Sequence, residues 1–533
     1  MQFTPDRTSH RSFWLAFTLC AVIAVLPPPL AASDGDSAPG AASSPSLRVG
    51  LDTRLFPVAP SLADGVDFWT KVYTEYDSNV VLLHDERHLH VVYAALDFTE
   101  LKERRISEGR KRSLRRANIK KAREKYRHIL SSLAAGKTSR YPNDQARVEA
   151  MFDKVPGNRS RYSSAAGRLR TQTCLSDRFH EAIGRSGLYM ARMERIFQER
   201  GLPVELTRLP FVESMFQWHA KSSAAAGGIW QFMPATGRIY LDIEAEYDER
   251  YDPLIATDAA ARLLSDNHKA LGTWPLAITA YNHGRAGMKR AVRRLRTRDL
   301  GTIAQKYRSR TFGFASRNFY VEFVAAAKVY ANRDHYFPDA VPRPPLSFDE
   351  FVAEHYVPLP ELTRAASSDL DALKEMNPAL SREIWGGHLY LPKGYALKLP
   401  AGTLGDFQSA YSSLPASRKS SHQVGLRYKV RKGDTLGKIA LRYGTSISAL
   451  QRANRLASAN RIRIGQVLLI PPSASGSRVA AASSSGPTTH VVRRGENLSR
   501  IARKYGTSVK ALQRANRLRS ANHLKVGQRL IIP

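Results

Sequence analysis

The feature that most constrains this chain is an internal repeat with a period of 62 residues. Residues 428–471 (YKVRKGDTLGKIALRYGTSISALQRANRLASANRIRIGQVLLIP) align without gaps to 490–533 (HVVRRGENLSRIARKYGTSVKALQRANRLRSANHLKVGQRLIIP). Whatever fold the first copy adopts, the second must adopt as well. Each copy reads as strand, Gly turn, helix, Gly-Thr-Ser cap, second helix ending in Arg-Ala-Asn, and closing strand. A unit of 44 residues buries little core and has no disulfide, so its local signals must agree closely for it to fold alone. The Ser/Ala/Gly linker at 473–489 lets the two copies raise avidity for a polymer.

The rest of the 533 residues leaves room for further domains, and a hydrophobic content of 43% excludes wholesale disorder. Lys+Arg 81 against Asp+Glu 47 gives +34, which predicts attraction to polyanions without choosing among nucleic acid, an anionic membrane surface and an acidic wall polymer. At the start, Arg7, His10 and Arg11 precede an apolar run from Phe13 to Leu26 and then Leu30-Ala31-Ala32. That order predicts a secretory signal peptide over 1–32 with cleavage after Ala32. An uncleaved anchor is the alternative, though the run is short for a bilayer. Of two cysteines, Cys20 leaves with the leader. Cys174 then has no disulfide partner and there is no cysteine metal site. An exported basic chain is no chromosomal DNA binder, so no nucleic-acid partner is expected.

Residues 33–48 read as a Ser/Ala/Pro/Gly linker. A basic, mainly helical region is predicted over 49–175. Between Lys102 and Arg127, 13 of 26 residues are Lys or Arg: a solvated helix face, or a dock for an anionic surface. From 176 to 345 the spacing predicts an α-helical domain. One helix covers 176–200 and stops at Gly201-Leu202-Pro203, and another leads from Val204 to Glu213. Further helices cover 254–271, with a cap near Thr257-Asp258, then Leu276 to Gly284, and 315–331. Residues 346–401 read as short helices closing on a strand, and 402–426 as a tether.

Within the helical domain, ESMFQWHAKSSAAAGGIWQFM (213–233) sets one carboxylate among Leu209, Pro210, Phe211, Val212, Met215 and Phe216. Apolar walls raise the pKa of a carboxylic acid, as proton donation near neutral pH requires. On composition alone, an ordinary helix end and small-residue loop is the competing reading.

The repeats (427–472 and 490–533) resemble LysM modules, small βααβ domains that bind N-acetylglucosamine in peptidoglycan and chitin. Gly433-Asp434-Thr435-Leu436, Asn454 and Ile464 match the family's sugar-binding positions. The second copy carries Gly495-Glu496-Asn497-Leu498 and Asn516, departing from the pattern at its first loop. Residues 346–401 resemble a degenerate relative through Asn377-Pro378 and LYLPKGYALKLP. Residues 176–345 resemble the soluble-lytic-transglycosylase catalytic domain through Leu209-Pro210-Phe211-Val212-Glu213-Ser214, Gly228-Ile229-Trp230-Gln231-Phe232-Met233-Pro234 and Ala280-Tyr281-Asn282. The whole chain is similar to lytic murein transglycosylases of the membrane-bound D type. The fold so implied is mostly α, with a lysozyme-like domain followed by βααβ modules on flexible linkers.

The resemblance makes Glu213 the catalytic acid and base. Ser214, Ser222, Gln231 and Met233 line the sugar groove, Tyr281 and Asn282 close its far side, and Tyr320 stands in for a tyrosine that relatives carry where this chain has Phe319. Gln217-Trp218 replaces a usual Asn-Pro, and Ala225 a usual Gly. The implied reaction cleaves the β-1,4 bond between N-acetylmuramic acid and N-acetylglucosamine and closes a 1,6-anhydro ring, with peptidoglycan strands as partner and the periplasm as compartment. A monomer is expected. Asp242, Glu244, Glu246, Asp248, Glu249 and Asp252 offer candidates for a second carboxylate, so a hydrolytic muramidase or chitinase stays open, as does a non-catalytic wall-binding scaffold. His219 and His283 have no metal-ligand spacing, and neither metal nor cofactor is expected.

Overall fold

The computed structural model describes residues 51–470 other than Gly425, Gly444 and Ala457, together with parts of 489–531. The predicted leader and its linker, and all but the last residue of the 473–489 linker, lie outside the described residues. The described chain is mostly helical, and none of its helices is long and apolar enough to cross a membrane.

The region before 176 is no separate basic domain. The Pro60–Thr74 helix buries Phe68, Trp69, Val72 and Tyr73 and lies along the Phe314–Ala331 helix, inside the same core as the catalytic helices. A three-stranded antiparallel sheet follows, with Val81–Asp85 between Val92–Leu96 and Leu169–Thr173. The middle strand is buried throughout because both faces are covered: Leu82 joins the catalytic core, while Leu83 points the other way. That second face receives Tyr126, Ile129, Leu130 and Leu133 of the 27-residue Glu108–Ala134 helix, whose start is capped by Ser107. Most of the helix's cations face solvent, which meets the expectation of a solvated basic face.

The catalytic core is built from Ser176–Gly187, Met190–Glu199, a 3-10 turn Val204–Arg208 running into Leu209–Glu213, then Pro253–Leu271, Trp274–His283, Arg285–Leu295 and the central Phe314–Ala331. The predicted 176–200 helix is thus broken near Leu188 and Tyr189. The predicted cap at Thr257-Asp258 is also displaced. Asp252 caps the helix, accepting from the Leu254 and Ile255 amides at 2.9 and 3.1 Å, with Pro253 at the first position, where its missing N–H costs nothing. Thr257 lies a turn inside and serves another partner.

Residues 346–401 form strand Phe348–Val352, helices Leu359–Ala365, Leu370–Met376 and Arg382–Trp385, and strand Ala396–Pro400 paired antiparallel to the first. The first repeat has two helices between its paired strands instead of three: Leu426–Lys429, Leu436–Arg442, Ile447–Ala453 and Val467–Ile470. One asparagine fastens the last strand to the second helix in each case. Asn377 donates to Leu373 and Lys398 carbonyls and accepts the Lys398 amide. Asn454 does the same with Leu450 and Leu469, and in the second repeat Asn516 does so with Leu512 and Ile531.

The predicted tether at 402–426 is largely structured. Leu404–Ser413 is a helix that buries Phe407 and Ala410 against the 346–401 module, and Gln423 bonds Tyr390 and Glu246. A buried ion pair, Lys398–Asp252, ties the module to the start of the Pro253–Leu271 helix.

Candidate active site

Glu213 ends the short Leu209–Glu213 helix, whose apolar residues Leu209 and Phe211 are buried. The backbone then reverses: Met215 and Phe216 both take left-handed conformations, φ 51° and 56°. The turn is held by the Phe216 amide on the Pro210 carbonyl and by Arg185 Nε on the Met215 carbonyl at 3.0 Å. Phe216 tucks against Phe211 with ring centroids 4.7 Å apart. Glu213 is thereby half-buried, and the dense apolar packing pushes its carboxyl up to about 8, with the Glu322 carboxylate as a second cause.

The opposite wall is the Gly227–Met233 turn. Gly228 has φ 76°, and a Cβ there would lie 1.7 Å from the Arg250 carbonyl oxygen, so only glycine fits. Arg250, paired with Asp248 at 2.6 Å, donates to the Ala225 and Phe232 carbonyls and holds both ends of the turn. Trp230 is fully buried, stacked on Phe197, and its indole donates to Thr257 at 2.9 Å.

Each residue predicted for the catalytic groove has a definite place. Ser214 Oγ donates to the Ile229 carbonyl at 2.8 Å, joining the two walls. Ser222 Oγ accepts from the Ala226 amide, so it staples its own loop. Gln231, at φ 48°, spends its amide nitrogen on the Ala220 and Gly228 carbonyls. Met233 is 43% exposed. Tyr281 donates to the Trp230 carbonyl at 2.8 Å, and burial together with the Glu213 charge raises its phenol. Asn282 accepts from Ser316 at 2.9 Å. Tyr320 is a correction: its hydroxyl donates to the Pro57 carbonyl on the far side of the helix, while Phe319 stacks on Tyr281 with interplanar angle 3°. Adjacent residues on a helix point about 100° apart, so only one of the two can face the groove.

Four of the six carboxylates in the acidic stretch have partners of their own. Asp248 orients Arg250, Glu249 accepts the Asp242 amide, Glu246 meets Gln423, and Asp252 caps a helix while holding Lys398. The carboxylate that acts on Glu213 is Glu322, on the Phe314–Ala331 helix. Burial pushes it to about 8 as well, opposed by the charge of Arg170. Sequence spacing missed it because the same helix also carries Arg317, Asn318 and Lys328, among which Glu322 reads as one more surface position.

In the modules, Gly433 is in the left-handed region, φ 86°, and Thr435 caps the first helix. Asp434 accepts from Tyr428 at 2.6 Å and from the Arg431 amide, which lower its carboxyl. The second repeat replaces that pair as a unit: His490 and Glu496 stand 2.7 Å apart. Leu436 and Leu498 are core residues, and Asn454 and Asn516 are half-buried and engaged in their strand clamps. Ile464 is 70% exposed. Gly495 and Asn497 lie outside the described residues.

Residues 194–301 match the Transglycosylase SLT domain, and 428–471 and 490–533 each match the LysM domain. Over 348 residues the chain is 30% identical to "Membrane-bound lytic murein transglycosylase D" of Escherichia coli K12, spanning 63% of this chain and 75% of that protein. The chain belongs to the membrane-bound lytic murein transglycosylase D family. It is also 36% identical over 111 residues to the endolysin of Bacillus phage PZA, 20% of this chain and 38% of that protein. The solved lytic transglycosylase Slt of Pseudomonas aeruginosa aligns at 19% identity over 47% of this chain and 39% of its own, with a TM-score of 0.25, too slight a likeness to argue from. As a family member, the chain is a peptidoglycan lytic transglycosylase of the cell envelope with LysM wall-binding domains. The SLT match stops before the helix that carries Glu322.

Proposed function

We propose that Glu213 is the single acid and base of the transglycosylase reaction. The observation that carries this is its position: a half-buried carboxyl at the end of the Leu209–Glu213 helix, joined through Ser214 to the Gly227–Met233 turn and pushed up to about 8, hence protonated at neutral pH. Protonated Glu213 gives its proton to the glycosidic oxygen as the bond to the N-acetylmuramic acid anomeric carbon breaks. The glutamate then takes the proton of that sugar's 6-hydroxyl while its oxygen bonds the anomeric carbon. Glu213 ends protonated, a 1,6-anhydro ring has formed, and no water is consumed. The apolar wall that raises Glu213 also keeps water out.

Ser214, Gln231, Tyr281 and Asn282 act by holding the groove walls, and Met233 offers an apolar surface to a sugar ring. The predicted leader makes the chain an exported, periplasmic enzyme, and the basic face of the Glu108–Ala134 helix suits an anionic membrane surface. The enzyme works as a monomer. Glu213→Gln tests the assignment on purified murein sacculi: release of anhydro-ended products should fall at least about 10³-fold, with the circular dichroism spectrum unchanged. A variant that solubilises murein as well as the parent refutes it.

A further inference from the structure

Residues 285–310 (RAGMKRAVRRLRTRDLGTIAQKYRSR) hold ten Lys or Arg and a single acid, Asp299. That acid is spent on the cap of the Leu300–Lys306 helix, where it accepts the Gly301 and Thr302 amides. Among the described residues, only Arg285 of the ten cations meets a carboxylate, Asp266 at 3.6 Å. The basic Glu108–Ala134 helix is different, since its lysines pair with Glu108, Glu124 and Asp144. The Arg285–Leu295 helix buries Gly287, Met288 and Ala291, so Lys289, Arg290, Arg293 and Arg294 share its exposed face. Lys289 and Arg293, like Arg290 and Arg294, stand four residues apart, a spacing at which like charges weaken a helix. No described carboxylate offsets that repulsion, and an anion from outside would.

The strip adjoins the groove. Tyr281, bonded to the Trp230 carbonyl, and Asn282 lie at the end of the Trp274–His283 helix, and His283 follows directly. A Cβ on Gly287 would come within 2.5 Å of the His283 ring, so the basic helix starts in close contact with that wall. The same ring meets Phe312 edge-on, centroids 5.0 Å apart, which brings in the segment carrying the exposed Arg308 and Arg310. Two cationic segments thus converge on one histidine beside the groove.

We infer that this strip binds the carboxylates of the peptide stems on the glycan strand being cut. The enzyme acts on peptidoglycan, a glycan whose muramic acid residues carry short peptides, and those peptides bring negative charge. A strand that extends past Asn282 lays its stems along the exposed helix face, about 16 Å long for 11 residues. Guanidinium groups hold carboxylates through paired N–H donors, and a one-signed surface speeds encounter with an acidic polymer. The stems touch the enzyme away from the scissile bond, so the strip acts on binding and not on the chemical step. This rests on the groove around Glu213 being where the glycan is cut. An anionic lipid surface is the rival partner.

The test compares the full-length parent with a variant carrying Lys289→Gln, Arg290→Gln, Arg293→Gln and Arg294→Gln, on soluble uncross-linked murein strands at low salt. The substitutions relieve repulsion on an exposed face, so the variant should melt no lower than the parent. Its KM should rise about tenfold with kcat retained. Converting the carboxyl groups of the strands to amides with carbodiimide and ammonia should raise the parent's KM by the same factor and leave the variant's where it was. Salt at about 0.5 M should close the gap between the two proteins as well. An unchanged KM on the native strands overturns the inference, and so does a gap that persists on the amidated ones. Parent-like KM with lost co-sedimentation on vesicles of phosphatidylglycerol and phosphatidylethanolamine overturns it in favour of the membrane. Undiminished turnover by Glu213→Gln would instead overturn the reading beneath it.

Discussion

Ala225 holds φ 66°, in the left-handed region that costs an L-residue about 1 kcal/mol. Its carbonyl is one of the two that Arg250 grips, so the loop cannot easily relax to relieve the strain. This is why glycine is usual at the position in the family the sequence resembles. Ala225→Gly should raise the unfolding free energy by about 0.5 kcal/mol once glycine's larger chain entropy is counted. The denaturant midpoint should move up at constant slope, and an unchanged midpoint would mean the loop is not strained. At this scale the sequence was partly legible. The apolar flanks of Glu213 were readable from composition, whereas Gln231 and Tyr281 were singled out only by the resemblance to the transglycosylase domain. The choice between Phe319 and Tyr320 was not, because both are buried aromatics and only the partners, Tyr281 and Pro57, distinguish them. Glu322 was invisible for a similar reason: its neighbours come from three elements distant in sequence.

At the scale of elements, the three asparagine clamps show what the βααβ unit depends on. Each ties a helix end to a strand that the helix itself cannot reach through its backbone. Asn454→Ala removes two donated bonds and one accepted bond, and should destabilise the first LysM module by about 2 kcal/mol. Loss of hydrogen-exchange protection at the Leu469 amide is the readout. Protection equal to the parent's would show that the strand pairing alone suffices. Repeat alignment revealed the modules, since their periodicity is local. The docking of the 346–401 module was not legible, because Asp252 and Lys398 are 146 residues apart. The 402–426 segment misled through its Ser and Gly content, which hid a helix with a single buried Phe407. Lys398→Met leaves the Asp252 charge without its cation in a buried setting and should cost about 3 kcal/mol, measured as a fall in the melting temperature of the whole chain. A value near zero would mean water already solvates the pair.

Across the whole molecule, catalysis and adhesion are assigned to different parts of one chain. Ending the chain after Val424 removes both LysM domains and keeps the groove. Binding to murein sacculi should then weaken by about 10²-fold through lost avidity, while turnover of short soluble glycan should stay at the parent's level. Equal binding by the truncated form would shift the adhesive role to the basic N-terminal helix. The helical class and the order of parts were readable from periodicity and repeats. The extent of the catalytic core was not, because the Pro60–Thr74 helix joins it from more than 100 residues upstream.

Asp252 has two oxygens and two duties. One begins the Pro253–Leu271 helix, and the other receives Lys398 from the docked module. A cut at 345 would therefore strip a counter-ion from the helix that supports Trp230. Shuffling the parts of this enzyme between relatives must therefore carry the 346–424 segment as the inseparable companion of the groove, and that segment in turn shares an apolar core with the first LysM module.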